Sequence, residues 1–329
     1  MKIKRTISCI IFPLIIILLI GVFGEFLTPK STNRYYILEN DPHYSEDYDV
    51  QIYGSCHSYT SFNPVKFYEN TGIRSYVYGN PGEIIPTTYV RMAEKFKENP
   101  PKVALVETWG INPYETYDAT EKILGDYLTS NIERLPYSKE KNEVLRDFEL
   151  DVFQMNFPLA RYKDRLLDES LTDVDMYYEF ENTKNYNSDY VFNEMTSRLK
   201  YYGYKSNPSR DISDYPQRQN YIEEDEYRKI EDNITKYIYK IIDLCEKYDV
   251  ELIFYRSPYT STKNELRKLN HLREICNERG ITFIDLEEVI DYDYTADFYD
   301  YQHLSLKGAN KSTELLELLI MNALEKNSK

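Results

Sequence analysis

Histidine and cysteine are scarce in this chain, four residues of each, and they are scattered along its length. A zinc site needs several such ligands at suitable spacing. Cys56 and His57 adjoin, yet no further Cys/His cluster stands near them to supply the rest. No acidic segment carries the ordered ligands of a Ca²⁺ loop, so no metal and no cofactor is expected. Basic charge is also in deficit, with 40 Lys and Arg against 55 Asp and Glu and a net charge of -15. Phosphate backbones are bound by clustered cations that release counterions, so the balance argues against nucleic acid as a partner; the acidic surface serves solubility. Internal repeats and low-complexity tracts are missing, and a hydrophobic fraction of 42% is too high for a disordered chain. Tyrosine is the residue in excess, at 34. It suits stacking on sugars, and equally a compositional bias toward Tyr, Asn, Ile and Lys.

The first segment opens with Lys2, Lys4 and Arg5, then runs from Ile7 to Phe26 with no charge before Glu25. That is roughly the twenty apolar residues needed to cross a bilayer. The basic flank places the N-terminus in the cytoplasm. The small-x-small pattern of a cleavage site is poorly matched at Val22-Phe23-Gly24, so residues 1–27 are expected to be an uncleaved signal anchor. The protein is then a single-pass plasma-membrane protein with its body outside the cytoplasm. Residues 28–47 read as a polar linker. Cys9 falls in the anchor; of the exported cysteines, either Cys245 pairs with Cys276 or all are free, and Cys56 is unpaired in both cases.

From residue 48 to 329 one domain is expected. Short β-forming apolar runs at Val50–Tyr53, Ser75–Tyr78, Val103–Val106, Leu252–Tyr255 and Thr282–Ile284 alternate with helical spacing at Pro64–Asn70, Thr87–Lys97, Glu223–Tyr248, Asn264–Arg279 and Ser305–Glu325. Such alternation predicts a three-layer α/β fold, a parallel sheet with helices on both faces. Residues from about 114 to 220 break the pattern and read as a mostly helical insertion, with patches at Pro158–Leu167 and Asp189–Leu199.

Two places carry chemistry. After the first strand comes Gly54-Ser55-Cys56-His57-Ser58, where a strand, a glycine turn and a helix start would seat residue 56 at the carboxyl edge of the sheet. The helix terminus there would lower a thiol pKa. Taken alone, Cys56 reads more readily as a small buried filler, and Gly54 as only a turn residue. Near the other end lies Asp300-Tyr-Gln-His303, a spacing that lets the carboxylate fix the imidazole while its second nitrogen faces a nucleophile. His43 and His271 read as solvated surface. His57 competes with His303 as a base, but no acidic residue stands near it in sequence.

Gly54-Ser55-Cys56 and Asp300-x-x-His303, together with Tyr78-Gly-Asn-Pro-Gly82-Glu83 and Glu107-Thr-Trp-Gly110-Ile-Asn112 after the second and third strands, resemble the four ordered blocks of the SGNH/GDSL hydrolase family. The likeness is nearest to single-span members such as the D-alanyl transfer protein of teichoic acid modification and the exopolysaccharide acetylation proteins, through Gly-Ser-Cys-His-Ser-x-x-Ser-Phe-Asn-Pro, Arg256-Ser-Pro258 and His-Leu-Ser-x-x-Gly-Ala309. The resemblance implies a flavodoxin-like (SGNH) parallel sheet and a catalytic set of Cys56, Asp300 and His303. It also implies an oxyanion hole of Cys56, Gly82 and Asn112, with Ser55 and His57 as supporting residues. Cys stands where the family has Ser, and Pro113 where Asp often follows the Asn. The implied function is a cell-surface acyltransferase or esterase on O-acyl groups of an envelope polysaccharide or teichoic-acid-like polymer, working beside a membrane-bound O-acyltransferase. The alternative is a non-catalytic accessory protein that binds the polymer or partners that enzyme.

Overall fold

The computed structural model describes residues 2–27, 41–112, 128–133, 135–163, 198, 200–213 and 226–326. Its strands are β1 (Val50–Tyr53), β2 (Ser75–Val77), β3 (Val103–Glu107), β4 (Glu251–Arg256) and β5 (Thr282–Asp285). They pair in parallel in the order β2-β1-β3-β4-β5. The helices are α1 (Lys2–Leu27), α2 (Cys56–Ser61), α3 (Pro64–Thr71), α4 (Ile85–Glu98), α5 (Lys139–Asp147), α6 (Val152–Asn156), α7 (Pro158–Arg161), α8 (Asp232–Tyr248), α9 (Lys263–Arg279), α10 (Leu286–Val289) and α11 (Leu306–Lys326).

Alternate strand residues face opposite ways, and here both directions are apolar. Ile52, Leu105 and Ile253 pack against Phe62, Phe67, Leu316 and Ile320 on one face. Tyr53, Val106 and Phe254 pack against Phe96, Ile238 and Leu269 on the other. Each such side chain contributes about 1.5–3 kcal/mol by leaving water, which is why these strands read as continuous apolar runs. The helix boundaries are set by local chemistry. Asn63 accepts from the amides of Val65 and Lys66 ahead of Pro64, and Gly72 ends α3 in the left-handed region. A capping box of Thr262 and Glu265 starts α9.

Three expectations change. Helix α8 starts at Asp232, not Glu223; residues 223–225 lie outside the described set, and 226–231 are not helical. Tertiary contacts override the periodicity there: the Ile230 amide donates to His271 Nδ1 at 2.9 Å, and Lys268 Nζ holds the Glu231 carboxylate at 2.8 Å. His271 is therefore a buried structural residue, not solvated surface. The end of the expected linker belongs to the domain as well. Tyr76 donates to Asp41 at 2.7 Å, and Arg91 donates to the Tyr44 hydroxyl at 3.0 Å. Residues 28–40 lie outside the described set.

Of the expected insertion, α5, α6 and α7 are helical, which covers part of the Pro158–Leu167 patch; residues 113–127 and 164–197 are outside the described set, as is nearly all of the Asp189–Leu199 patch. Its return segment covers the open edge of the sheet. The Val77 amide donates to the Tyr202 carbonyl at 3.0 Å, and a Cβ at Gly203 (φ +83°) would stand 2.0 Å from the Val77 carbonyl oxygen, so only glycine fits. The Tyr202–Gly203 turn thus occupies the β2 edge at Val77, where it stands in the way of pairing with another strand.

In α1 the described side chains begin at Ile11, and those from Ile11 to Phe23 are exposed. Gly24 meets Pro158 and Leu159 of α7. Among the described residues no helix is long and apolar enough to cross a membrane. Cys56, Cys245 and Cys276 are free thiols.

Candidate active site

The chain leaves β1 at Tyr53 and must turn at once beside the end of β3. Gly54 has φ +130°, and a Cβ there would stand 2.8 Å from the Glu107 Cβ. Glycine alone tolerates both the backbone and the approach. Ser55 then caps α2, accepting from the His57 amide. Its hydroxyl donates to Glu107 Oε2 at 2.8 Å and takes the His57 Nδ1 contact at 2.9 Å.

Cys56 is the first residue of α2 and half-buried. The helix is only six residues long, and side chains add to whatever activation its terminus gives. Two imidazoles do so. His57 Nδ1 lies 3.9 Å from the Cys56 sulfur, and the His57 and His303 rings are near-parallel, with centroids 5.5 Å apart at 18°. The sulfur and one nitrogen from each ring lie within 4.8 Å of one another.

His303 sits in a tight turn ahead of α11. Asp300 Oδ1 closes that turn by accepting from the amides of Gln302 and His303, each at 2.8 Å. Both carboxylate oxygens lie 3.0 Å from His303 Nδ1. The Nδ1 proton is thereby assigned toward Asp300, leaving Nε2 to face the sulfur. Burial opposes ionisation of the Cys56 thiol, but the charges of His57 and His303 outweigh it and hold the thiol well below its ordinary value. Burial likewise opposes charge on His303, yet the Cys56 sulfur and the Asp300 carboxylate push it up to about 10. Burial works against the Asp300 carboxylate too, and the His303 hydrogen bond overcomes it, keeping the group below the usual carboxylate range. Both shifts favour a thiolate facing an imidazolium over the neutral pair.

His57 does have an acidic partner, and it comes from β3. Glu107 is fully buried, accepts from the Trp109 amide at 3.0 Å, and reaches His57 through Ser55. Burial raises its carboxyl above the usual range. The other His57 nitrogen, Nε2, is 3.3 Å from Gln302 Oε1, and the Tyr259 ring lies at 4.6 Å. Behind Tyr259, Arg256 is fully buried and bonds the Tyr259 carbonyl at 3.1 Å and Asp285 at 3.0 Å. Glu107, Gln302 and Tyr259 are the site residues that sequence reasoning misses.

Gly82 and Asn112 lie in neighbouring turns. The Asn80 amide donates to the Gly54 carbonyl at 2.9 Å, tying the Gly82 turn (φ +64°) to the Cys56 turn. A Cβ on Gly110 would stand 2.8 Å from the Glu83 carbonyl oxygen, so the third block packs on the second. Asn112 is buried and donates to the Tyr259 hydroxyl at 3.5 Å. All four segments thus meet at the carboxyl edge of the sheet, the place where open parallel sheets bind ligands. Of the residues singled out in the sequence, Cys56, Ser55, His57, His303 and Asp300 are linked in one series of contacts.

A comparison with protein-family models finds no match for the chain, and one with curated proteins finds no relative.

Proposed function

We propose that the protein is a cell-surface acyltransferase or esterase of the SGNH/GDSL type, with Cys56 as nucleophile, His303 as acid and base, and Asp300 as its orienter. The observation that carries this is the contact of an oriented imidazole with a thiol placed at the carboxyl edge of a parallel sheet. The strand order, that of flavodoxin-like sheets, supports the family reading.

The thiolate attacks the acyl carbonyl, forming a C–S bond while the carbonyl electrons move to oxygen. The amides of Cys56 and Gly82 and the Asn112 side chain receive that oxyanion, each donor worth roughly 10²–10³-fold in rate. On collapse the C–O bond breaks and the leaving oxygen takes the His303 proton. A thioester remains. An incoming hydroxyl, of water or of a sugar or polyol, gives its proton to His303, attacks, and expels the thiolate. Because a thioester survives to meet an acceptor, transfer of an O-acyl group to a hydroxyl of an envelope polysaccharide or teichoic-acid-like polymer is the favoured outcome.

The exposed apolar surface of α1 and the basic residues at its N-terminal end support a single-pass anchor with the domain outside the cytoplasm, within reach of such a polymer and of a membrane-bound O-acyltransferase. The test is turnover of an aryl acetate by the full-length protein in detergent. Cys56→Ala should lose at least 10³-fold; full activity in that variant would end the proposal.

A further inference from the structure

We propose that Cys56, His57 and His303 form a binding site for a zinc-like divalent cation, whose occupancy silences the sulfur. In sequence His303 stands far from the other two, so no ligand spacing is visible; the fold brings it beside them.

The donor set fits. One thiolate and two imidazoles suit a borderline-soft d¹⁰ ion, with the fourth position left to water. Around a tetrahedral zinc ion these atoms stand about 3.3–3.6 Å apart. The sulfur and His57 Nδ1 are already at 3.9 Å, and with all three ligand atoms within 4.8 Å no edge has to close by more than about 1.5 Å.

The surroundings fit as well. Metal-bound histidines are held by carboxylates, carbonyls or water at their second nitrogen. Asp300 holds His303 Nδ1 at 3.0 Å. His57 is flanked on both nitrogens, by Ser55 at 2.9 Å with Glu107 behind it and by Gln302 at 3.3 Å. Whichever nitrogen turns to the ion, the other keeps the ring in place. Among the described residues neither Glu107 nor Asp300 has a Lys or Arg ion-pair partner. The Asp300 carboxylate and a thiolate beside two imidazoles, with the Glu107 carboxyl behind Ser55, thus leave room for a dication. His57 is buried and the other two ligands are part-exposed, so an ion can enter from the solvent side.

Binding stands independently of the acyl-transfer reading; only the silencing rests on it, because a dication draws charge from the sulfur it holds and weakens it as a nucleophile toward a carbonyl. The test is titration of the full-length, reduced, metal-free protein in detergent with Co²⁺, followed by Zn²⁺. A thiolate-to-cobalt charge-transfer band should saturate at one equivalent and disappear when Zn²⁺ is added. It should be lost in Cys56→Ser, and affinity should fall at least tenfold in His57→Ala and in His303→Ala. A second reading needs no variant: one equivalent of Zn²⁺ should slow alkylation of Cys56, followed by peptide mapping, at least tenfold. No band, a band that persists in Cys56→Ser, or alkylation unchanged by Zn²⁺ overturns the site. If Zn²⁺ binds in this way but the metal-free protein turns over no acyl donor, the acyl-transfer reading fails and the site stands.

Discussion

Replacing Asp300 by Asn keeps the shape of the side chain and removes its charge. In the native turn, Oδ1 accepts two backbone amides at 2.8 Å, and both oxygens lie 3.0 Å from His303 Nδ1. An Asn can keep the amides on its remaining oxygen, so the turn should survive. Its NH₂ group then faces Nδ1 where Oδ2 stood, and two donors meet. The ring relieves this by giving up its Nδ1 proton and keeping the one on Nε2, so a neutral imidazole that can no longer take the thiol's proton faces the Cys56 sulfur. Losing one charge-assisted hydrogen bond costs about 1.5–3 kcal/mol, roughly 10–150-fold in rate. Tautomer reversal adds to that; in Ser-His-Asp enzymes the same exchange costs about 10⁴-fold. Oδ1 also lies near Nδ1, so some orientation is retained, and the expected loss is 10²–10⁴-fold in the first-order acylation rate. The assay is the stopped-flow burst with an aryl acetate, with thermal melting as the control. A loss below threefold in a variant that melts like the wild type would refute the role given to Asp300.

Acylation should be flat with pH through neutrality. Its acid limb is set by the Cys56 thiol, held low by the two imidazoles, and its alkaline limb falls near pH 10 as His303 loses its proton; a limb near 8.5 in both thiol alkylation and acylation would contradict the ion pair. In Cys56→Ser the sulfur charge is gone, so the alkaline limb should disappear and the rate should rise with a single limb as His303 becomes neutral. Gly54→Ala forces φ +130° on a residue whose Cβ stands 2.8 Å from the Glu107 Cβ, and should destabilise the protein by about 3–5 kcal/mol; a melting temperature within two degrees of wild type would show that the turn is not so confined. Arg256→Met leaves the buried Asp285 and Glu287 without their cation, for an expected loss of about 3–5 kcal/mol by denaturant unfolding; a change below 1 kcal/mol would show the cluster to be solvated.

The five strands are legible in the sequence because both sheet faces are covered, so every strand residue from Val103 to Val106 is apolar and no competing pattern exists. The start of α8 is not, since Ile230 and Glu231 are held by side chains of α9 that local periodicity cannot reveal. The same division runs through the site. Gly54 to His57, and Asp300 with His303, are short segments whose roles follow from local geometry. Glu107 is 52 residues from Ser55, and Gln302 is 245 residues from His57; only the parallel crossovers bring them together. The helix start that the sequence offers to activate Cys56 is joined in the structure by a second histidine.

The most direct test of the account is the intact mass of the full-length, metal-free protein after exposure to an aryl acetate. One acetyl group should appear on wild type, map to the peptide containing Cys56, and be released by neutral hydroxylamine as a thioester. Cys56→Ala should remain at its starting mass. An adduct that appears equally in that variant, or no adduct on a protein that turns the ester over, would contradict a covalent mechanism at Cys56.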